Sequence, residues 1–140
     1  MLSNTLQAFD DSRLIRQILL LDDHLDNLHR ETTLYLASLG KLTHNEKRDN
    51  EALAIFGFFT NLEHVGDIIS RNTMVLAKRK QRKLIEFSSE GWTELKWLHA
   101  RLLDIFKLSQ AVFSSGDDKL AEDLIKAKRE FRQHIVVARK

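Results

Sequence analysis

Apolar residues recur along this chain at intervals of three and four, the spacing of one face of an α-helix, from residue 12 almost to the end. From Ser12 to about Leu39 the positions Leu14, Ile18, Leu21, Leu25, Leu28, Tyr35 and Leu39 fall on one stripe, broken at Thr32, and Gly40 follows as a stop. This predicts a long first helix, preceded by a short amphipathic segment, Leu2 to Phe9. Thr43 with Glu46 reads as a capping box opening a second helix, whose core stripe is Ile55, Phe59, Leu62, Gly66, Ile69, Thr73 and Leu76. That helix is expected to stop or bend near Lys83. A third, about Ser89 to Ser114, carries Trp92, Leu95, Leu98, Leu102, Ile105, Phe106, Val112 and Phe113 before Gly116 closes it. Asp117 and Asp118 open a fourth, with Leu120, Leu124, Ala127, Phe131 and Ile135 inward. Short connections make neighbours antiparallel, so the expected fold class is all-α, an antiparallel up-and-down helical bundle forming one domain over residues 1–140.

Composition agrees and excludes several chemistries. The chain has no Pro and only five Gly among 140 residues, so little interrupts helices. With no Cys there is no disulfide, thiolate nucleophile or Cys-ligated metal. Twenty-two Lys and Arg against twenty Asp and Glu leave +2, too balanced to indicate nucleic acid. No basic start with an apolar core marks a secretory signal, and no run approaches the roughly 18 apolar residues of a membrane span. A soluble chain is expected.

The departure from a plain bundle is a second row on the first helix: Ile15, Leu19, Asp22, Asp26, His29, Thr33, Leu36. The second helix repeats it with Leu53, Phe56, Thr60, Glu63, Asp67, Ser70, Met74. Both rows are apolar at the ends and acidic in the middle. Carboxylates at i and i+4 have Cβ atoms about 5–6 Å apart, close enough to share one cation, and they repel weakly if they do not. Paired acids on a helix are ordinarily a solvated face, but apolar flanks on both rows argue against a fully wet one, and a buried carboxylate needs a partner. The expected metal site is therefore Asp22, Asp26, Glu63 and Asp67. His29, at i+3 from Asp26, is a candidate ligand but more often such a residue is a polar one at the bundle edge, and His64 points about 100° away from Glu63.

The stretch Asn61-Leu62-Glu63-His64-Val65-Gly66-Asp67 resembles the Glu-x-x-x-Asp helix of the PhoU family, and Asp22-Asp23-His24-Leu25-Asp26 is similar to its companion Asp-x-x-x-Asp motif on the preceding helix. Their order and separation match as well, and the third and fourth helices look like the first two elements of a second repeat. Within the family the likeness is to the cytoplasmic PhoU-like domain following the membrane portion of bacterial sodium/phosphate cotransporter-related proteins. The resemblance implies a regulatory, non-enzymatic helical domain in phosphate transport, of the kind found as the C-terminal part of a longer transporter, on the cytoplasmic side of the inner membrane. It also implies iron or zinc on the acidic face; oxygen ligands alone would favour magnesium, calcium or manganese. In the second repeat the acidic positions are replaced by Lys128 and Arg132, so one metal-binding half is complete at most.

Two alternatives come from other classes. A dimetal carboxylate enzyme needs Glu-x-x-His from two helices, whereas only Asp26-Asn27-Leu28-His29 approaches that pattern, and Gly66 stands where Glu63 would require His. The other is a metal-free dimerisation bundle. Three partner readings complete the picture: a membrane transporter domain, anionic lipid met by Lys78, Arg79, Lys80, Arg82 and Lys83, and self-association through the apolar fourth helix. Nucleic acid is not expected, because no aromatic residues are interleaved with the basic run.

Overall fold

The computed structural model describes residues 1–40 and 46–138. It is all-α among the described residues: two 3₁₀ turns, Leu2–Asn4 and Gln7–Phe9, then α1 (Ser12–Gly40), α2 (Glu46–Asp67), a π-helical segment (Ile68–Thr73), α3 (Met74–Lys83), α4 (Ser89–Ser115) and α5 (Asp118–Ala138). The chain divides into two compact units, Met1–Ile85 and Glu86–Lys140.

Local chemistry explains the helix limits. The Asp11 carboxylate opens α1, accepting from the Arg13 backbone N–H at 2.8 Å. Its carboxyl is held below the usual carboxylate range, first by the Arg13 side chain and then by that N–H. Ser88 opens α4, its hydroxyl accepting from the Gly91 N–H at 3.1 Å. Asp117 opens α5 by accepting from the Leu120 N–H at 3.0 Å. Gly116 ends α4 at φ +64°, which costs a residue without Cβ nothing. The proposed Thr43 cap lies outside the described residues.

In the first unit α1 and α2 run antiparallel, Asp22 facing Gly66 while His29 meets Thr60. Its core is Ala8, Ile15, Ile18, Ile69, Met74 and Ala77, with Met1, Leu2, Phe9, Leu14, Leu19 and Val65 packed around it. The amphipathic start is thus a lid of 3₁₀ turns. Gln81 Nε2 ties it down by donating to the Ala8 carbonyl at 2.9 Å, and Lys80 pairs with Asp10 at 2.6 Å.

The expected core stripes are corrected here. On α1 the buried positions are Ile15 and Ile18, while Leu21, Leu28 and Tyr35 are exposed. The row bearing the acids therefore turns toward α2. On the second helix the expected stripe starts exposed at Ile55, is half-buried at Phe59 and Leu62 and buried at Gly66 and Ile69, then shifts one residue, from Thr73 and Leu76 to Met74 and Ala77, leaving Leu76 exposed. The cause is the π turn, in which the Met74 N–H reaches back five residues to the Ile69 carbonyl. One residue is added to the turn, and every later side chain rotates accordingly.

The helix over 49–83 is long and apolar enough by length and composition to cross a membrane, which no uninterrupted apolar run revealed. Part of it packs against α1, and it contains Glu63 and Asp67, each of which would cost a few kcal/mol in hydrocarbon.

The second unit is an antiparallel hairpin of α4 and α5. Trp97 packs on His134, centroids 4.9 Å apart, with the Arg101 guanidinium 5.8 Å from the Trp97 ring centroid. Phe87 stacks on Trp92 at 5.3 Å. None of its described side chains reaches the burial of the first unit's core.

Candidate metal centre

At Gly66 side chains of α1 come close to the α2 backbone. A Cβ added there would stand 2.7 Å from Leu25 Cδ2 and 2.8 Å from Asp22 Oδ1, so those side-chain ends would have to shift to admit it. The contact places an α1 carboxylate directly against α2, and Asp67, the next residue, adds a second from the other helix. Asp22, Asp26 and Asp67 each offer an oxygen, all within 4.8 Å of one another. Oxygens sharing one ion at about 2.0–2.6 Å lie roughly that far apart at most.

Two oxygens of these carboxylates are stranded. Asp22 Oδ1 and Asp67 Oδ1 are sealed from solvent and accept no hydrogen bond among the described residues, although each Asp as a whole is half-buried. Arg71 places Nε 2.9 Å from Asp67 Oδ1, one turn along. Its N–H does not point at the oxygen, so the pair is a Coulombic contact without a hydrogen bond. Arg71 is itself largely exposed, which leaves much of its charge screened by water. Three carboxylates beside one cation keep the cluster acidic, and a sealed carboxylate oxygen without a donor is costly.

Of the four expected ligands, the structure gathers Asp22, Asp26 and Asp67. Glu63, half-buried one turn before Asp67, stands outside this group. His29 lies one turn beyond Asp26 and is engaged elsewhere: its Nε2 is 3.2 Å from Thr60 Oγ1, and its ring stacks on Phe56 at 6.1 Å. Thr60 already donates its proton to the Phe56 carbonyl at 2.9 Å, so His29 donates through Nε2. It acts as a polar clasp at the edge of the site. The sequence did not flag Arg71, whose i,i+4 spacing from Asp67 was the available signal.

A groove of about 230 Å³ in the hairpin, lined in part by Trp97, Arg101, Asp104, Phe131 and His134, contains no stranded polar atom. The acid cluster is the better-defined candidate.

These observations define an all-helical protein with an acidic cluster held between its first two long helices. The PhoU domain family matches residues 1–73, more than half of the chain and all of the acid-bearing region. The chain belongs to the PhoU family. It is 33% identical over 112 residues, 80% of its length, to the Escherichia coli O157:H7 protein named "Putative inorganic phosphate export protein YjbB", and equally to its Shigella flexneri counterpart. It spans 21% of those relatives' length, about a fifth. No solved structure matches it.

Proposed function

We propose that this chain is a regulatory, non-enzymatic PhoU domain of phosphate transport, acting beside a membrane transporter domain on the cytoplasmic side of the inner membrane. PhoU membership and the likeness to a protein named for phosphate export support this reading. Its chemistry would be cation binding on the acidic face. Asp22 and Asp67 would supply the sealed oxygens from opposite helices and Asp26 a third, with Glu63 joining by a side-chain rotation from the adjacent turn. The observation that carries this is that Asp22 Oδ1, set against Gly66, and Asp67 Oδ1 are both buried without a hydrogen-bond donor, on carboxylates that each bring an oxygen within 4.8 Å of the others. A cation would add positive charge beyond that of the single Arg71 contact and crosslink α1 to α2. Iron or zinc is the proposed metal by family; the all-oxygen donors would equally accept harder cations.

The residues do the rest. Gly66 leaves room for Asp22 and Leu25 against α2, and Arg71 balances part of the charge. A metal-free structural bundle is the competing reading, favoured by that Arg71 contact.

Linkage separates the two. A cation that binds only the folded chain stabilises it by RT ln(1 + [L]/Kd), about 2.7 kcal/mol at a hundredfold excess over Kd. The melting temperature of chelator-stripped protein should rise with added iron(II), zinc or manganese, and Asp67→Asn combined with Glu63→Gln should abolish the rise. An unchanged melting temperature in the wild type would leave Arg71 as the sole counter-ion and the metal reading wrong.

A further inference from the structure

The end of α3 breaks a rule that the end of α4 obeys. Both helices finish with a residue in the left-handed region, Gly116 after α4 at φ +64° and Leu84 after α3 at φ +52°. A leucine pays for that conformation through its Cβ, which is why glycine usually occupies the position. Hydrogen bonds hold it there: the Leu84 N–H donates to the Gln81 carbonyl at 3.3 Å and the Ile85 N–H to the Lys80 carbonyl at 3.1 Å. The side chain gains nothing in return, because Leu84 is 88% exposed, the most of any large apolar residue described, and Ile85 is 47% exposed.

The surroundings are cationic. Met74, Ala77 and Gln81 face the protein, so Arg79 and Lys83 project from the opposite side of α3, with Arg82 flanking them. All three are exposed, and none forms an ion pair among the described residues; Lys80, by contrast, is held by Asp10. Val75 and Leu76, one turn earlier on the outer side, are each 55% exposed. The helix dipole explains cations at this end, but neither the dipole nor solubility explains a strained, extruded leucine beside them.

We propose that this corner docks on an anionic lipid surface, Leu84 and Ile85 entering the interface while Arg79, Arg82 and Lys83 meet headgroup phosphates. Apolar tips ringed by Arg and Lys suit such an interface, where the tip leaves water and the charges stay at phosphate level. The inference is independent of the metal site.

Flotation of the full chain with vesicles tests it. Binding is expected to phosphatidylcholine vesicles containing about a third phosphatidylglycerol and not to phosphatidylcholine alone, and it should weaken steeply with salt. Arg79→Gln with Arg82→Gln and Lys83→Gln should reduce partitioning about a hundredfold. Leu84→Gly is the sharper variant: it relieves the strained backbone, so the melting temperature should hold or rise, while partitioning falls about tenfold. Absence of binding to anionic vesicles overturns the proposal. So does a Leu84→Gly protein that binds as well as wild type, which would reduce the contact to surface charge alone.

Discussion

The two units are made of similar material and reach different ends. Both contain long helices with well-formed caps, yet the first encloses six fully buried apolar residues and the hairpin encloses none among those described. Geometry accounts for the contrast. Two helices touch along one line, so each apolar side chain in the seam keeps an open flank. The first unit closes that flank with the 3₁₀ turns and α3, which cover Ile15, Ile18 and Met74. Good caps limit a helix but do not bury it. Only the enclosed unit can hold carboxylate oxygens away from water, and the stranded Asp22 and Asp67 atoms are found there. The hairpin leaves Trp97, Leu102, Phe113, Ile125 and Val136 exposed.

Matched truncations probe this contrast most strongly. Met74→Ala, at a site with no exposure, should cost about 2–5 kcal/mol, whereas Leu102→Ala, 38% exposed, should cost only about 1 kcal/mol in dilute protein. Denaturant titrations followed by site-resolved amide exchange read both values. If the Leu102 cost climbs with concentration while sedimentation shows a larger species, self-association covers the hairpin; equal costs in dilute monomer would erase the distinction between the units.

A smaller effect is expected at the helix contact. Gly66→Ala gains helix propensity but drives a methyl into Leu25 and Asp22, for a net loss of about 1–2 kcal/mol. Any metal-dependent rise in melting temperature should shrink with it. A stabilised Gly66→Ala protein would mean that the two helices separate more easily than their packing implies.

The smallest effect concerns the hairpin's own ends. Ser88→Ala removes the cap on α4 and should cost about 1 kcal/mol, seen as faster amide exchange at Gly91 and Trp92. Beside it the Glu90 carboxyl is held below the usual carboxylate range, chiefly by its own backbone N–H and then by the Ser89 hydroxyl. A carboxyl lowered by folding stabilises at pH above its unfolded value and loses that contribution as pH falls through its folded one. The start of α4 should therefore fray on acidification below about pH 4, in NMR titration, before the enclosed unit opens.

Much of this was written in the chain itself. Helix existence, antiparallel order and most limits follow from interactions within four residues: Asp117 and Gly116 were read correctly because a cap needs only its own turn. The i,i+4 spacing of Asp22 with Asp26 is likewise local, as was the Gly66-Asp67 pair that carried the family likeness. Tertiary structure decided what spacing cannot. A π turn at Ile68–Thr73 shifted the buried stripe from Leu76 to Met74 and Ala77, and no local residue pattern announced an extra residue in the helix. Close approach at Gly66 chose which acids meet, bringing Asp22 and Asp26 to Asp67 and leaving Glu63 a turn away. Periodicity fixes angles about one helix axis; which faces touch, and at what height, depends on how two axes pack. That is why the sequence could name four carboxylates, while only the packing of α1 on α2 could select three and strand two of their oxygens.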